Sequence, residues 1–438
     1  MKKNTLAIFG GRPVRTKAFK PHPVLGKEER KQVLAVLKSG LLSGFIASAG
    51  PAFLGGPKVK QLESLACKYF KVPYAVAMNS ATSALHAALS ALGIGPNDQV
   101  VVSPFTMSAS AAAILMQGAV PIFVDIDENT FCIDPTEIER KITPRTKAIV
   151  VVHLFGQPAA MREIQRIAEK YNLFIVEDCA QAPGSKLEGN YVGTIGHIGV
   201  FSLNQHKTIT TGEGGIAVTK DKRLALRLQL VRNHGEVVVD HLESEIDPGP
   251  VLGWNYRMTE LEAAVGVAQF KKLDRLNKYR IRLAEYLVNK LSKIEGIETP
   301  LRLSNSSHVY FVLALKYDEK KIGIPRDLFI KAINAEGIPF GGGYVRPIYL
   351  DSIYRNKRVF MNTSFPFDDQ MHFELGDCPV SERMHFKELI TTNVCRFPST
   401  FKDMDDVVRA TQKIITAREK ILSWAKKNEH SKYMAVSS

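Results

Sequence analysis

Seven apolar runs of strand length recur in the first half of the chain, at residues 74–77, 100–103, 120–125, 148–153, 173–177, 199–203 and 215–218. They are continuous rather than alternating, as expected of strands covered on both faces. Helical stretches lie between several of them. Residues 80–93 are rich in alanine and leucine, and residues 161–171 repeat apolar side chains at helical spacing behind Pro158. This alternation predicts an α/β fold built on an open, mostly parallel sheet with helices on both sides. After Gly215 the texture changes to charged helical patterns at 222–232, 258–273 and 279–293, then a mixed α+β region over 307–417. A boundary is expected near 275–280, dividing a large domain (25–277) from a smaller C-terminal one (278–420). Residues 1–24 read as an arm, and residues 421–438 as a basic tail that frays from Trp424 onward.

The strand ends carry the chemistry. Lys207 stands on a turn between the run ending at Leu203 and the glycine-rich return Gly212-Glu213-Gly214-Gly215. A lysine screened from water there favours the neutral amine, which can attack an aldehyde and form an imine. Upstream, the run 173–177 leads into Asp178, at a depth where a lone carboxylate is costly. Either neighbouring backbone satisfies that acid, or it faces the pyridine nitrogen of a cofactor. Lysine and acid, each at a strand end, read together as a pyridoxal phosphate (PLP) site. Gln181 is placed to meet the cofactor's ring hydroxyl or to position the acid. Asn79-Ser80-Ala81-Thr82-Ser83 follows a strand and opens a helix; its first-turn N–H groups and hydroxyls suit a phosphate, or Ser80 is an ordinary N-cap. Ser202, five residues before Lys207, is a further phosphate donor. His153 and His206 lack partners at metal-ligand spacing and read as structural. No metal is expected.

Composition narrows the class. The chain has 438 residues, 45% hydrophobic and 23% charged, an ordinary globular balance. No apolar run reaches the ~18–20 residues that cross a bilayer, and the start lacks the apolar core of a signal peptide. Five scattered cysteines, never spaced as Cys-x-x-Cys, argue against a disulfide framework or zinc site and fit a reducing cytoplasm. The formal net charge of +14 suits phosphorylated substrates; the basic residues are dispersed, so nucleic acid and membrane are not expected partners.

Glu177-Asp178-Cys179-Ala180-Gln181, the stretch 201–215, Gly253-Trp254-Asn255-Tyr256-Arg257-Met258-Thr259-Glu260 and Cys378-Pro379-Val380-Ser381-Glu382-Arg383 resemble the DegT–StrS family of PLP-dependent sugar and cyclitol aminotransferases. The resemblance runs from about Gly10 to about Thr411. It implies the aspartate-aminotransferase type of fold (fold type I), with a seven-stranded large domain, working as a homodimer whose active sites lie at the subunit interface. By the same resemblance Lys207 is the Schiff-base lysine, Asp178 the partner of the pyridine nitrogen, and Gln181 the glutamine near the ring hydroxyl. Ala81, Thr82 and Ser202 match positions around the cofactor phosphate, and Asn255 matches an asparagine reaching that phosphate from the other subunit. Relatives with histidine for the lysine are dehydratases. Four residues separate the lysine position from the glycine of Gly212-Glu213-Gly214-Gly215, which selects Lys207 over His206 and favours transamination.

Two departures stand out. Phe105-Thr106-Met107 puts a thioether where the family stacks an aromatic on the cofactor ring, and Ser80-Ala81-Thr82 replaces the usual Ser-Gly-Thr. The expected reaction moves an amino group from glutamate or glutamine to a keto group on a nucleotide-linked sugar, in a ping-pong cycle. The alternative acceptor is a scyllo-inosose-type cyclitol, which the stretch 148–220 resembles. Tyr344 and Arg346, in the Gly-Gly-Gly-Tyr-Val-Arg-Pro turn, either line the acceptor pocket or belong to a plain surface turn. A PLP-binding regulator without turnover and a PLP dehydratase are the competing readings.

Overall fold

The structure, a computed structural model, describes residues 5–21, 25–241 and 245–434, with side chains as far as Lys427. Its large sheet holds seven strands: β1 (Tyr74–Met78), β2 (Gln99–Val102), β3 (Val120–Phe123), β4 (Thr146–Val152), β5 (Phe174–Asp178), β6 (Ile198–Ser202) and β7 (Gly215–Thr219). Their order is β1-β7-β6-β5-β4-β2-β3. Only β7 runs against its neighbours; the rest share one direction, so β1, β5 and β6 end at the same edge. The expected runs match these strands to within a residue or two. Val120–Phe123 stops short because Asp125 turns away to accept from the Val380 and Ser381 backbones at 2.7 and 2.9 Å.

Helices cover both faces. The helix α1 (Pro57–Phe70) and α5 (Glu260–Phe270) lie on one side, while α2 (Ala81–Ala91), α3 (Ala109–Met116) and α4 (Lys222–Arg232) lie toward the other. Apolar side chains on each face of the sheet form separate buried clusters with them. The pattern 258–273 resolves differently from its expectation: α5 begins behind a Thr259–Glu262 capping box and ends at Phe270. The next helix, α6 (Leu273–Leu291), starts six residues earlier than the 279–293 pattern suggests. The reason is packing. Leu273 and Leu276 are buried with Phe270, so the break falls at Lys271 and Lys272.

The downstream part of α6 belongs to another core. Leu283, Leu287 and Leu291 pack with a four-stranded antiparallel sheet that contains β8 (Leu313–Tyr317) and β9 (Leu389–Thr392), and with α7 (Arg326–Ala335) and α8 (Phe401–Thr416). The segment expected to be an arm joins this core. Leu6 is buried in it, and the Ala7 and Val14 N–H groups donate to Glu336, each at 2.8 Å. The tail expected to fray is a helix over Arg418–Met434, with the Trp424 ring 5.7 Å from that of Phe9. Residues 1–4, 22–24 and 435–438 of those two segments lie outside the described residues. Among the described residues no helix is long and apolar enough to cross a membrane.

Candidate active site

The register of the sheet gathers the candidate residues. Met78 of β1 and Ser202 of β6 both pair with Gly215, so the segments following β1 and β6 emerge side by side. Gly215 has to be glycine for a steric reason: a Cβ there would fall inside contact distance of the Ser80 carbonyl and the Ala81 nitrogen. The bare backbone lets the start of α2 settle against the strand end. Ser80 caps that helix, its Oγ accepting from the Ser83 N–H at 3.0 Å. Ala81 and Thr82, in the first turn, are partly exposed, and Ser202 is buried close by. First-turn N–H groups with flanking hydroxyls form the cradle expected for a phosphate.

Lys207 sits on the loop from β6 to β7. The loop is closed by Leu203 N–H to the Gly214 carbonyl (2.8 Å), Thr211 N–H to the Leu203 carbonyl (2.9 Å) and Lys207 N–H to the Asn204 carbonyl (2.9 Å). His206 points outward; its backbone N–H donates to Asn204 Oδ1 at 3.1 Å. The Lys207 residue is partly exposed overall, but its amine lies inward, 4.8 Å from the centre of the Phe311 ring. Burial lowers the amine's pKa below its ordinary value, and the Asp178 carboxylate pulls the other way. The chemical consequence is a larger fraction of the nucleophilic, neutral form.

Asp178 closes β5 and is buried. Its Oδ1 accepts from the Ala180 N–H (3.0 Å) and its Oδ2 from the Ser110 hydroxyl (2.8 Å). Each oxygen keeps a lone pair that can accept a pyridinium N–H. Gln181 accepts from the Phe155 N–H (2.9 Å) and donates to the Tyr344 hydroxyl (2.9 Å), which leaves one amide N–H for a ligand. Burial raises the Tyr344 phenol; the Gln181 bond lowers it and the Asp178 charge raises it again. Donors, acceptors and cradle therefore fit PLP: Ala81, Thr82 and Ser202 for its phosphate, Asp178 and Gln181 for its ring, and Lys207 for its aldehyde.

Three candidates stand apart from this group. Met107 is 58% exposed, in the turn that leads to Ser110. Asn255 is exposed and bridges to Asn233; the next residue, Tyr256, accepts from the Asn79 N–H at 2.9 Å, so the segment abuts the start of α2. Arg346 is exposed and points into a separate cavity. Among the described residues, His153, Glu177 and Cys179 converge as metal donors do, yet His153 and Glu177 hydrogen-bond each other. Burial pushes the Glu177 carboxyl up, but His153 Nε2 (2.9 Å) and the Gly193, Ile195 and Gly196 N–H groups outweigh it and hold the acid low. Burial and the adjacent acids keep the Cys179 thiol protonated.

Ser110, Phe155, Phe311 and Arg280 are absent from the sequence-based set. Arg280, fully buried, donates to the Tyr310 (3.2 Å) and Phe311 (2.8 Å) carbonyls and so fixes the ring under Lys207. Ser110 had one available signal: a serine just past a strand end, in the first turn of a helix. Phe311 and Arg280 had none, because each meets the site from a distant part of the chain.

The sequence profile of the DegT/DnrJ/EryC1/StrS aminotransferase family matches residues 24–394. The L-glutamine:2-deoxy-scyllo-inosose aminotransferase of Streptoalloteichus tenebrarius is 34% identical over 423 residues, covering 94% of this chain and 97% of that one. The GDP-perosamine synthase of Caulobacter vibrioides is 36% identical over 322 residues, 72% of this chain and 81% of that one. Among solved structures, an aminotransferase from Psychrobacter cryohalolentis superimposes with a TM-score of 0.80 at 30% identity, over 92% of this chain and all of that one.

Proposed function

The chain belongs to the DegT/DnrJ/EryC1/StrS aminotransferase family, and we propose that it carries an amino group from glutamate or glutamine to the keto group of a nucleotide-linked sugar. It is a PLP-dependent aminotransferase. The observation that carries the assignment of its centre is the Lys207 amine, depressed by burial and under the field of Asp178 at the shared edge of β5 and β6.

When bound, PLP supplies an aldehyde for amines and a ring that takes up electrons released at the donor carbon. The chain's own residues do the rest. Lys207 Nζ would carry the proton from the donor carbon to the cofactor's aldehyde-derived carbon in the first half of the cycle, and from that carbon to the acceptor carbon in the second. Asp178 holds the ring nitrogen protonated, and Ser110 and the Ala180 N–H keep its carboxylate aimed. Ala81, Thr82 and Ser202 would hold the phosphate and Gln181 the ring hydroxyl, and Met107 would take the place of a stacking aromatic on the ring. Tyr344 and Arg346 face the acceptor. We place the enzyme in the cytoplasm, a reading supported by five unpaired cysteines.

A homodimer with shared sites is part of this reading. Its support is a group of exposed apolar residues around Asn255: Leu42, Ile46, Leu252 and Trp254. They are tied together by Glu260 N–H to the Leu42 carbonyl and by Asn233 to the Ile46 carbonyl. Asn255 would then reach the phosphate of the partner subunit.

A nucleotide-linked acceptor is favoured by the net charge of +14 and the relative named for a GDP-linked sugar. A cyclitol acceptor is the second reading, favoured by the longer match to the scyllo-inosose enzyme. Mass spectrometry decides between them: amine-labelled L-glutamine or L-glutamate is incubated with nucleotide-linked ketosugars and with scyllo-inosose. Label in the nucleotide-linked amine is expected. Label in the cyclitol alone would move the second reading ahead, and a keto product formed without consumption of donor would point to a dehydratase.

A further inference from the structure

The turn that brings Tyr344 to Gln181 reaches Arg346 two residues later, no more than ~7 Å further along the chain. There the surface opens into a cavity of 310 Å³ lined by Arg346, Leu350, Arg355, Glu374, Leu375 and Phe386. Both arginines are exposed. Among the described residues, neither guanidinium donates a hydrogen bond or meets a carboxylate at ion-pair distance. Glu374 is the single acid in the wall, so the cavity is net cationic. Leu375 and Phe386 also line an adjoining cleft of 1010 Å³, and the Phe386 ring, 45% exposed, stands at the join.

We propose that this cavity holds the diphosphate of the acceptor, with Arg346 and Arg355 on its oxygens and the nucleoside base over Phe386. The inference rests on the nucleotide-linked reading above and names the residues that make the nucleotide part of the substrate bind. The guanidinium fork matches phosphate geometry, and two forks lining one cavity suit two linked phosphates. A cavity of 310 Å³ has room for a diphosphate. The base extends past Phe386 and Leu375, which line both cavities, into the larger cleft, where an exposed aromatic face accepts any base by stacking. The sugar, attached at the other end, projects along the Tyr344 turn toward Gln181 and Lys207.

Isothermal titration of the PLP-loaded protein with UDP, GDP, dTDP and inorganic pyrophosphate tests this. The variants are Arg355→Ala, Arg355→Lys and Phe386→Ala, each checked for native circular dichroism. All three substitutions fall on exposed side chains. At least one nucleoside diphosphate is expected to bind, about tenfold or more weakly in Arg355→Ala, with partial recovery in Arg355→Lys. Phe386→Ala is expected to weaken the nucleoside diphosphate and leave pyrophosphate unchanged. Equal affinities in the wild type and Arg355→Ala, or no binding of any nucleoside diphosphate at millimolar concentration, would overturn the proposal. So would an equal response of pyrophosphate and nucleotide to every variant, which would mark a plain phosphate site. Donor-dependent conversion of the wild-type cofactor is followed in parallel. If it proceeds while nucleotides do not bind, this inference falls and the aminotransferase reading stands. If nucleotides bind through Arg355 but no donor reacts, the reverse holds.

Discussion

Burial takes the Lys207 amine below its ordinary value, and that has a consequence for stability as well as for reactivity. The unfolded chain binds the proton more tightly than the folded one, so the apo-protein gains stability as pH rises from the lowered value toward 10.5. Lys207→Met should remove this slope. Urea midpoints of both apo-proteins between neutral pH and that limit would show it, and parallel profiles would count against an inward amine. Asp178 was legible in the sequence because it ends an apolar run at a depth that demands a reason, and Lys207 because it stands on the turn between an apolar run and a glycine-rich return. Ser110 was not, since a serine near a helix start has many ordinary uses. Its hydroxyl is one of two donors on the Asp178 carboxylate. Ser110→Ala should lower kcat/KM about tenfold, as expected for losing a hydrogen bond to a charged group, while the thermal midpoint stays nearly unchanged. A rate equal to wild type would mean that the Ala180 N–H alone holds the acid.

Among the elements, the contact of β7 with the start of α2 sets the phosphate cradle. Gly215→Ala inserts a methyl against the Ser80 carbonyl, and the helix must move. The expected cost is about 1–3 kcal/mol of stability, together with at least tenfold weaker PLP binding. Equilibrium dialysis of cofactor beside a denaturant titration separates the two effects; unchanged PLP affinity would place the phosphate elsewhere. The strands were readable because a strand buried on both faces has to be apolar throughout. The break between α5 and α6 was not, because charged residues run through it and only the joint burial of Phe270, Leu273 and Leu276 fixes its position. The two-residue strands of the smaller sheets carry too short a pattern to detect. Phe311 under Lys207 belongs to the same class: its place comes from Arg280, thirty-one residues away in the chain.

For the molecule as a whole, Glu336 ties the chain's start to its end. Its carboxylate accepts from the Ala7 and Val14 N–H groups and from Lys413 Nζ on α8, and it is fully buried. Glu336→Ala leaves those donors unmatched and should cost about 2–4 kcal/mol, with early proteolysis within the first twenty-one residues. Cleavage kinetics equal to wild type would mean that Leu6 alone anchors the segment. No local pattern could have shown this, since an arm and a core strand end look alike until a distant acid is placed beside them. The central claim concerns Lys207 as the residue that takes the cofactor. Borohydride reduction of the PLP-loaded protein, followed by peptide mass spectrometry, tests it most directly. The account predicts pyridoxyl label on Lys207, loss of that label after prior incubation with L-glutamate or L-glutamine, and no specific label in Lys207→Ala. Label on another lysine with Lys207 unmodified would contradict it.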